Sequence, residues 1–321
     1  MILITGSNSY LGCKLLKRLL GAGNNIRCLD LYQPKDLPQG VEFFQGDVLD
    51  EIVLKKALNG VKTVFHFMDV TNPRKTGRRY MKRINVNGTK KILDAAKRAK
   101  VKRFFFLSSY EIYGKHKELP IRQDARKRPT TRYGRDKLKA EAACWAYIKS
   151  DMEVTIFRPA VICGPGIDDP IILITLFMAL GMDDANRLYI AGDGDTRFQL
   201  LHPDDAVEAF MRAFLKDETK GKLYNLGSDN VPTQMELIVH IKDEAKLNVT
   251  IKHLTPKKTK ILSFLLRPFK INYLTREHLY MLFNNILLDC QLAKKDLGWQ
   301  PTKDNVQIIT ETIEWYKKEK L

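Results

Sequence analysis

Residues 1–5 read Met-Ile-Leu-Ile-Thr, a short apolar run rich in branched side chains, and Gly6 follows without a spacer. The stretch Gly6-Ser-Asn-Ser-Tyr-Leu-Gly12 then runs into Leu11, Leu15, Leu16, Leu19 and Leu20, which recur at helical spacing. An apolar run of this length suits a strand buried on both faces, as in a parallel sheet. A glycine turn joining such a strand to a helix leaves the first helical N–H groups unpaired beside a partial positive charge, which seats a pyrophosphate. Gly6, Ser9, Tyr10, Leu11 and Gly12 are therefore candidate cofactor contacts.

The next strand reads Ile26-Arg-Cys-Leu-Asp30-Leu31. Asp30 lies about 20 residues beyond the glycine turn, where a carboxylate holds an adenosine ribose. A carboxylate there repels a 2′-phosphate, so NAD is expected rather than NADP. Val41 to Phe44 predicts a further strand before Gly46-Asp47, and Val61 to Phe65 another that ends at His66. Residues 78–99 read as helical, with Asn85-Val86-Asn87-Gly88-Thr89 inside, and Val101 to Leu107 as a fifth strand. Strands alternating with helices predict an α/β fold with a doubly wound parallel sheet.

Composition removes several classes. The 321 residues are 44% hydrophobic and 28% charged, a globular balance. The N-terminus lacks a secretory pattern. The most apolar stretch, Ile261 to Leu266, is far too short to span a membrane. A soluble, cytoplasmic protein is expected. Cys13, Cys28, Cys144, Cys163 and Cys290 form no CxxC pair, which indicates neither a zinc site nor a disulfide framework. The net charge of +17 is spread out, densest from Arg74 to Arg103, and no nucleic-acid-binding motif accompanies it. A lysine-rich solvated surface is the reading, with no specific nucleic-acid partner. His66 reads as a satisfied core histidine. Asp204 and Asp205 read as acidic residues of a helical first turn rather than metal ligands.

At Ser108-Ser109-Tyr110-Glu111-Ile112-Tyr113-Gly114 the sequence becomes more specific, and Tyr133-Gly-Arg-Asp-Lys137 begins 24 residues after Ser109. With the glycine turn, these resemble the extended short-chain dehydrogenase/reductase family, which includes nucleotide-sugar epimerases, dehydratases and reductases. Further stretches fit in order: Gly46-Asp47-Val48, Asn85 to Thr89, Arg158-Pro159 to Gly166, Gly192 to Gly194 with Arg197, His202 to Asp205, Tyr224 to Ser228, and Leu297 to Pro301. The resemblance implies a Rossmann domain over 1–160, re-entered at about 198–227, and a substrate lobe from 161–197 and 228–321. It implies adenine contacts at Asp47 and Val48, a cofactor border at Phe67, a nicotinamide contact at Pro159, and substrate contacts at Tyr110, Val161 and Arg197. Arg197 would hold a substrate phosphate. A homodimer through the helices carrying Asn85 and Tyr133 is a further implication.

The chemistry explains the pattern. A phenol with a pKa near 10 is a poor base at neutral pH. A lysine four residues later shares its helix face, and its charge favours the phenolate. Tyr133 can then exchange a proton with a substrate hydroxyl while hydride moves to or from nicotinamide. Lys137 would also bind the nicotinamide ribose, and Ser109 would orient the reacting oxygen.

The chain also departs from the family pattern. Ser9 replaces the middle glycine, so its Cβ narrows the approach to a pyrophosphate while its hydroxyl can donate to one. Phe67-Met68-Asp69 stands where leucine and two small residues are usual, and the Asp69 carboxylate has no assigned role. Val161 and Cys163 replace the Asn and Tyr common in sugar-nucleotide enzymes, and Phe198 to His202 departs from the commoner aspartate–aromatic version. No Asp-Glu pair stands beside Ser109, which disfavours a dehydratase. The stretch Pro256 to Leu288, with Leu262, Phe264, Leu265, Leu266, Phe269, Leu274 and Leu279, is either a core helix of the small lobe or an apolar cover. The latter resembles 3β-hydroxysteroid dehydrogenase-like and hopanoid-associated members, where it covers apolar substrates or touches membrane. Three functions are expected, in this order: a nucleotide-sugar epimerase or related dehydrogenase; an oxidoreductase of a lipid or sterol-like alcohol or ketone; and a non-catalytic NAD-binding regulator or scaffold.

Overall fold

The N-terminal strand, turn and helix form as their pattern requires. In a computed structural model, which describes residues 1–34, 36–71, 77–167, 187–244, 248, 250–255, 257 and 283–320, β1 is Ile2–Thr5 and α1 is Tyr10–Gly21. There follow β2 (Ile26–Asp30), β3 (Glu42–Gln45), α2 (Glu51–Ala57), β4 (Thr63–His66), α3 (Arg78–Lys82), a π-helical turn (Arg83–Gly88) and α4 (Thr89–Arg98). Then come β5 (Arg103–Leu107), α5 (Arg132–Trp145), β6 (Glu153–Pro159), β7 (Val161–Ile162), β8 (Arg187–Ala191), β9 (Leu200–Leu201) and α6 (Pro203–Leu215). The last elements are β10 (Leu223–Leu226), α7 (Gln234–Glu244), β11 (Thr250–Leu254), α8 (Gln291–Leu297) and α9 (Asn305–Lys320).

Seven strands make one parallel sheet in the order β10-β6-β5-β4-β1-β2-β3, the expected doubly wound α/β fold. The order reverses between β1 and β4, and that reversal opens a crevice outside the carboxyl ends of the strands. Two smaller parallel pairs, β7 with β9 and β8 with β11, lie apart from this sheet. Successive strand residues point to opposite faces. One face carries an aromatic row: Phe65 stacks on Phe105 at 4.7 Å, and Phe157 packs on Phe210 of α6 at 4.8 Å. The other face carries Leu3, Val64, Phe104, Phe106 and Val154 against α2, α4 and α5.

The expected continuous helix over 78–99 is interrupted by the π turn. Asn85 in that turn uses its amide on both polar groups of Val70, Val70 N–H donating at 2.7 Å and Asn85 Nδ2 donating to Val70 O at 2.9 Å. Apolar periodicity does not distinguish a four-residue from a five-residue helical closure, so the pattern carried no sign of it. No helix among the described residues is long and apolar enough to cross a membrane. Arg74, residues 168–186, and Leu262, Phe264, Leu265, Leu266, Phe269, Leu274 and Leu279 lie outside the described residues.

A buried ion pair ties α5 to the sheet. Arg158 of β6 donates through Nε to Glu141 Oε1 at 2.8 Å and through Nη2 to Oε2 at 2.6 Å. Its Nη1 bonds Tyr113 Oη and Gln123 O, so the whole guanidinium is engaged. Removing one partner of such a pair strands a buried charge. Glu141→Ala is therefore expected to cost about 3–5 kcal/mol in chemical denaturation. A loss below about 1 kcal/mol would show that the pair does not brace α5.

Candidate active site

Gly6 has φ +74°, and a Cβ placed on it would sit 2.5 Å from Met68 N, so the loop after β4 closes directly on the glycine turn. Ser9 caps α1, its hydroxyl accepting from Gly12 N–H at 3.1 Å. The Tyr10 and Leu11 N–H groups at the head of α1 lack intrahelical partners by geometry. The Ser9 hydroxyl proton remains available to a ligand while its oxygen caps the helix. Asp30 ends β2 and leans on this turn, accepting from Asn8 N–H at 3.0 Å and Leu31 N–H at 2.8 Å. Burial pushes its carboxyl up, against the pull of those two N–H groups. Asp47 holds its own turn by accepting from Leu49 N–H at 2.9 Å, and Val48 is buried beside Gly88. The Phe67 ring packs on Phe65 and Phe210, and the residue is buried in the core. A helix N-terminus for a diphosphate and a carboxylate for ribose hydroxyls are the donor set that a nicotinamide dinucleotide takes, and these residues fit one.

The second half of the site hangs from β5 and α5. Thr131 caps α5, its Oγ1 accepting from Gly134 N–H at 2.9 Å and donating to Glu111 Oε2 at 2.5 Å. A Cβ on Gly134 would lie 2.5 Å from Glu111 O, so glycine lets α5 seat on the short turn Tyr110–Ile112. Ser109 caps that turn through its hydroxyl, which accepts from Glu111 N–H at 3.2 Å. Ser109 and Tyr110 are both buried.

Tyr133 and Lys137 lie one helical turn apart, the lysine Nζ 5.5 Å from the tyrosine ring centre. Lys137 is 2% exposed and donates to Leu107 O at 2.7 Å. Asp69 joins both: Tyr133 Oη donates to Asp69 Oδ2 at 2.6 Å, and Lys137 Nζ lies 2.9 Å from the same oxygen. Burial pushes the Tyr133 phenol well above its ordinary range, and the Asp69 carboxylate pushes it further. Asp69 thus gains a position at the centre, although its sequence signal was only a departure from a small residue.

The remaining candidates stand elsewhere. Tyr10 donates to Pro165 O at 2.6 Å, tying α1 to the segment after β7. Pro159 ends β6 and is buried. Val161 is half-buried in β7, and Cys163 is buried with its Sγ 3.5 Å from Thr312 Oγ1. Arg197 is exposed and donates to Val231 O at 2.8 Å and, through its backbone N–H, to Asn285 Oδ1 at 2.7 Å, rather than to the Tyr133 centre. Asp204 and Asp205 occupy the first turn of α6, where Asp204 pairs with Lys14 and Asp205 anchors Thr302. Among the described residues no group of three or more His, Cys, Asp or Glu side chains could hold a metal ion.

His66 is a core residue, its Nδ1 2.6 Å from Thr5 Oγ1 and its Nε2 3.0 Å from Thr89 Oγ1. Burial, then the Lys137 charge, lowers its pKa to about 3. Unfolding frees it to bind a proton below about pH 6.5. The neutral, folded form therefore contributes stability that is complete above that pH and lost as pH falls toward the folded value. The expected slope is about 1.4 kcal/mol per pH unit across that window. His66→Gln should flatten that part of the stability–pH curve, and an unchanged curve would remove His66 as its source.

The family model for the NAD dependent epimerase/dehydratase family matches residues 2–227. The chain is 28% identical over 317 residues to uncharacterized protein y4nG of Sinorhizobium fredii, covering 98% of this chain and 78% of that one. It is 27% identical over 295 residues to human dTDP-D-glucose 4,6-dehydratase, covering 87% and 76%. Among solved structures it resembles UDP-glucuronic acid 4-epimerase from Bacillus cereus in complex with UDP-glucuronic acid and NAD, with TM-score 0.79, 20% identity and 99% of each chain covered.

Proposed function

The chain belongs to the NAD-dependent epimerase/dehydratase family, and from that premise we propose that it is a nucleotide-sugar epimerase, or a closely related dehydrogenase, with Tyr133 as its general acid/base. The observation that carries the reading is the Tyr133–Lys137 pair on the first turns of α5, seated against the turn of Ser109. NAD, when bound, supplies the hydride acceptor. In the oxidising direction Tyr133 Oη takes the hydroxyl proton of the sugar, and in the reducing direction it returns that proton to the same oxygen. Lys137 supplies the positive charge that makes the phenolate accessible, and Ser109 holds the reacting oxygen. Residues 161–197 and 228–321 form the substrate lobe in this reading, with Arg197 near the nucleotide phosphates, and the chain pairs as a homodimer through α5 and the helices around Asn85.

The relatives support a nucleotide-sugar, since one is named a dTDP-D-glucose dehydratase and a structural neighbour binds UDP-glucuronic acid. A second reading, a dehydrogenase of a lipid-like alcohol, is favoured by Val161 and Cys163, an apolar pair in the segment that follows β6. Incubation with NAD and UDP-glucose, UDP-glucuronic acid or dTDP-glucose, followed by NMR of the sugar, separates the two. Conversion of a nucleotide-sugar supports the first reading. Turnover or thermal stabilisation by hydroxysteroids alone transfers support to the second. Tyr133→Phe is expected to lower turnover about 10²–10⁴-fold while leaving NAD affinity within a few-fold. Retention of full turnover would sink both enzymatic readings of Tyr133.

A further inference from the structure

The loop carrying Asp69 is fixed on both sides. Phe67 N–H donates to Thr5 O at 3.0 Å, Met68 lies against the bare face of Gly6, and the Asn85 side chain clamps both polar groups of Val70. The carboxylate between these anchors is 17% exposed and meets a lysine that is 2% exposed. One oxygen, Oδ2, serves both Tyr133 Oη and Lys137 Nζ. The two groups that would act on a substrate hydroxyl are therefore both bound to one carboxylate of the chain itself.

We propose that Asp69 is a positioning residue of this centre, which holds the Tyr133 hydroxyl as a proton donor and shares the charge of Lys137 until a ligand oxygen displaces it. The inference rests on the reading of Tyr133 and Lys137 as the chemical centre. Removing the Tyr133 proton while Asp69 is in place sets a phenolate against a carboxylate at 2.6 Å, whereas the neutral phenol keeps a charge-assisted hydrogen bond. The other ionisable groups around Tyr133 do not reverse this. Glu111 and Tyr110, on the turn after β5, also disfavour the phenolate, and burial acts in the same sense. Lys137 is the opposing cation, already bonded to Leu107 O and Asp69, and His66 on β4 is neutral. Tyr133 consequently rests as an acid, and its use as a base requires that Asp69 first give up its bond. Oxidation of a substrate alcohol should then rise toward alkaline pH, and reduction should persist at neutral pH.

The test is a tyrosinate absorbance titration of the intact purified protein. The chain has 12 tyrosines, so each curve is taken with and without Tyr133→Phe, and the difference isolates Tyr133. In Asp69→Ala the Tyr133 midpoint is expected at least about one pH unit lower than in the parent, a tenfold change in its ionisation constant. Asp69→Asn, which keeps the side-chain volume, serves as the second variant should the alanine chain not fold, with a shift of the same sign. The pH profile of alcohol oxidation should move to lower pH in parallel. A midpoint unchanged in every folded variant overturns the proposal. The titration needs no turnover, so this failure is distinct from failure of the catalytic reading, which shows as full activity in Tyr133→Phe.

Discussion

Parallel pairing places the carboxyl ends of the sheet strands along one edge, and the site is built from residues at those ends or just beyond them. Gly6 comes directly after β1, Asp30 ends β2, and Pro159 ends β6. Asp47, Asp69 and Ser109 stand in the loops after β3, β4 and β5. The register makes this alignment tight. Thr5 is level with Leu29 and with His66, so Gly6 donates to Leu29 O and Phe67 donates to Thr5 O. A slip of one residue would turn Phe65 and Phe105 away from α6 and carry the loop of Asp69 out of reach of α5. The aromatic face of the sheet and the polar rim of the crevice are thus fixed by the same pairing.

A nearly unexposed lysine cannot stand without partners, because a buried cation lacking them loses several kcal/mol of solvation. Lys137 meets that requirement with the Leu107 carbonyl and the Asp69 carboxylate. If Tyr133 acts as proposed, the electrostatic need of the folded chain and the need for a phenolate oppose each other at one oxygen of Asp69. Each pKa unit by which a carboxylate disfavours the phenolate corresponds to about 1.4 kcal/mol. In the proposal, a ligand oxygen that displaces Asp69 from Tyr133 removes the carboxylate that disfavours the phenolate. Binding and protonation would then be linked through Asp69, Tyr133 and Lys137.

Much of this was legible from the residues. The strands before residue 107 stand out as short apolar runs, and the glycine turn, Asp30 and the Tyr133–Lys137 spacing identify themselves locally. So do His66 as a core residue and the Asp204–Asp205 first turn, since burial and helix-end charge arise from near neighbours. The π turn was hidden because it was expressed only in the pairing of Asn85 with Val70, 15 residues away. Asp69 was visible as an anomaly without a role, because its partner Tyr133 lies 64 residues further on. The Glu141–Arg158 pair was hidden for the same reason, since charge on a helix and charge on a strand carry no mark of each other.

The Tyr10 side chain ties the glycine turn to the segment after β7. Tyr10 is the first residue of α1, the turn whose N–H groups would face a pyrophosphate, and its hydroxyl holds Pro165 O. Pro165 closes the segment that carries Val161 and Cys163, the two positions that depart from sugar-nucleotide usage. Gly166 approaches the same ring, where a Cβ would lie 3.3 Å from Tyr10 Cε2, so the segment rests on the tyrosine along its edge as well as through its hydroxyl. In the proposed reading, in which Val161 meets the substrate, a shift of α1 on dinucleotide binding would be passed to this segment through Tyr10. Such a coupling would be reciprocal in binding free energy. Cys163 is buried against Thr312 while Val161 is half-buried, so of the two it is Val161 that a substrate would reach in that reading.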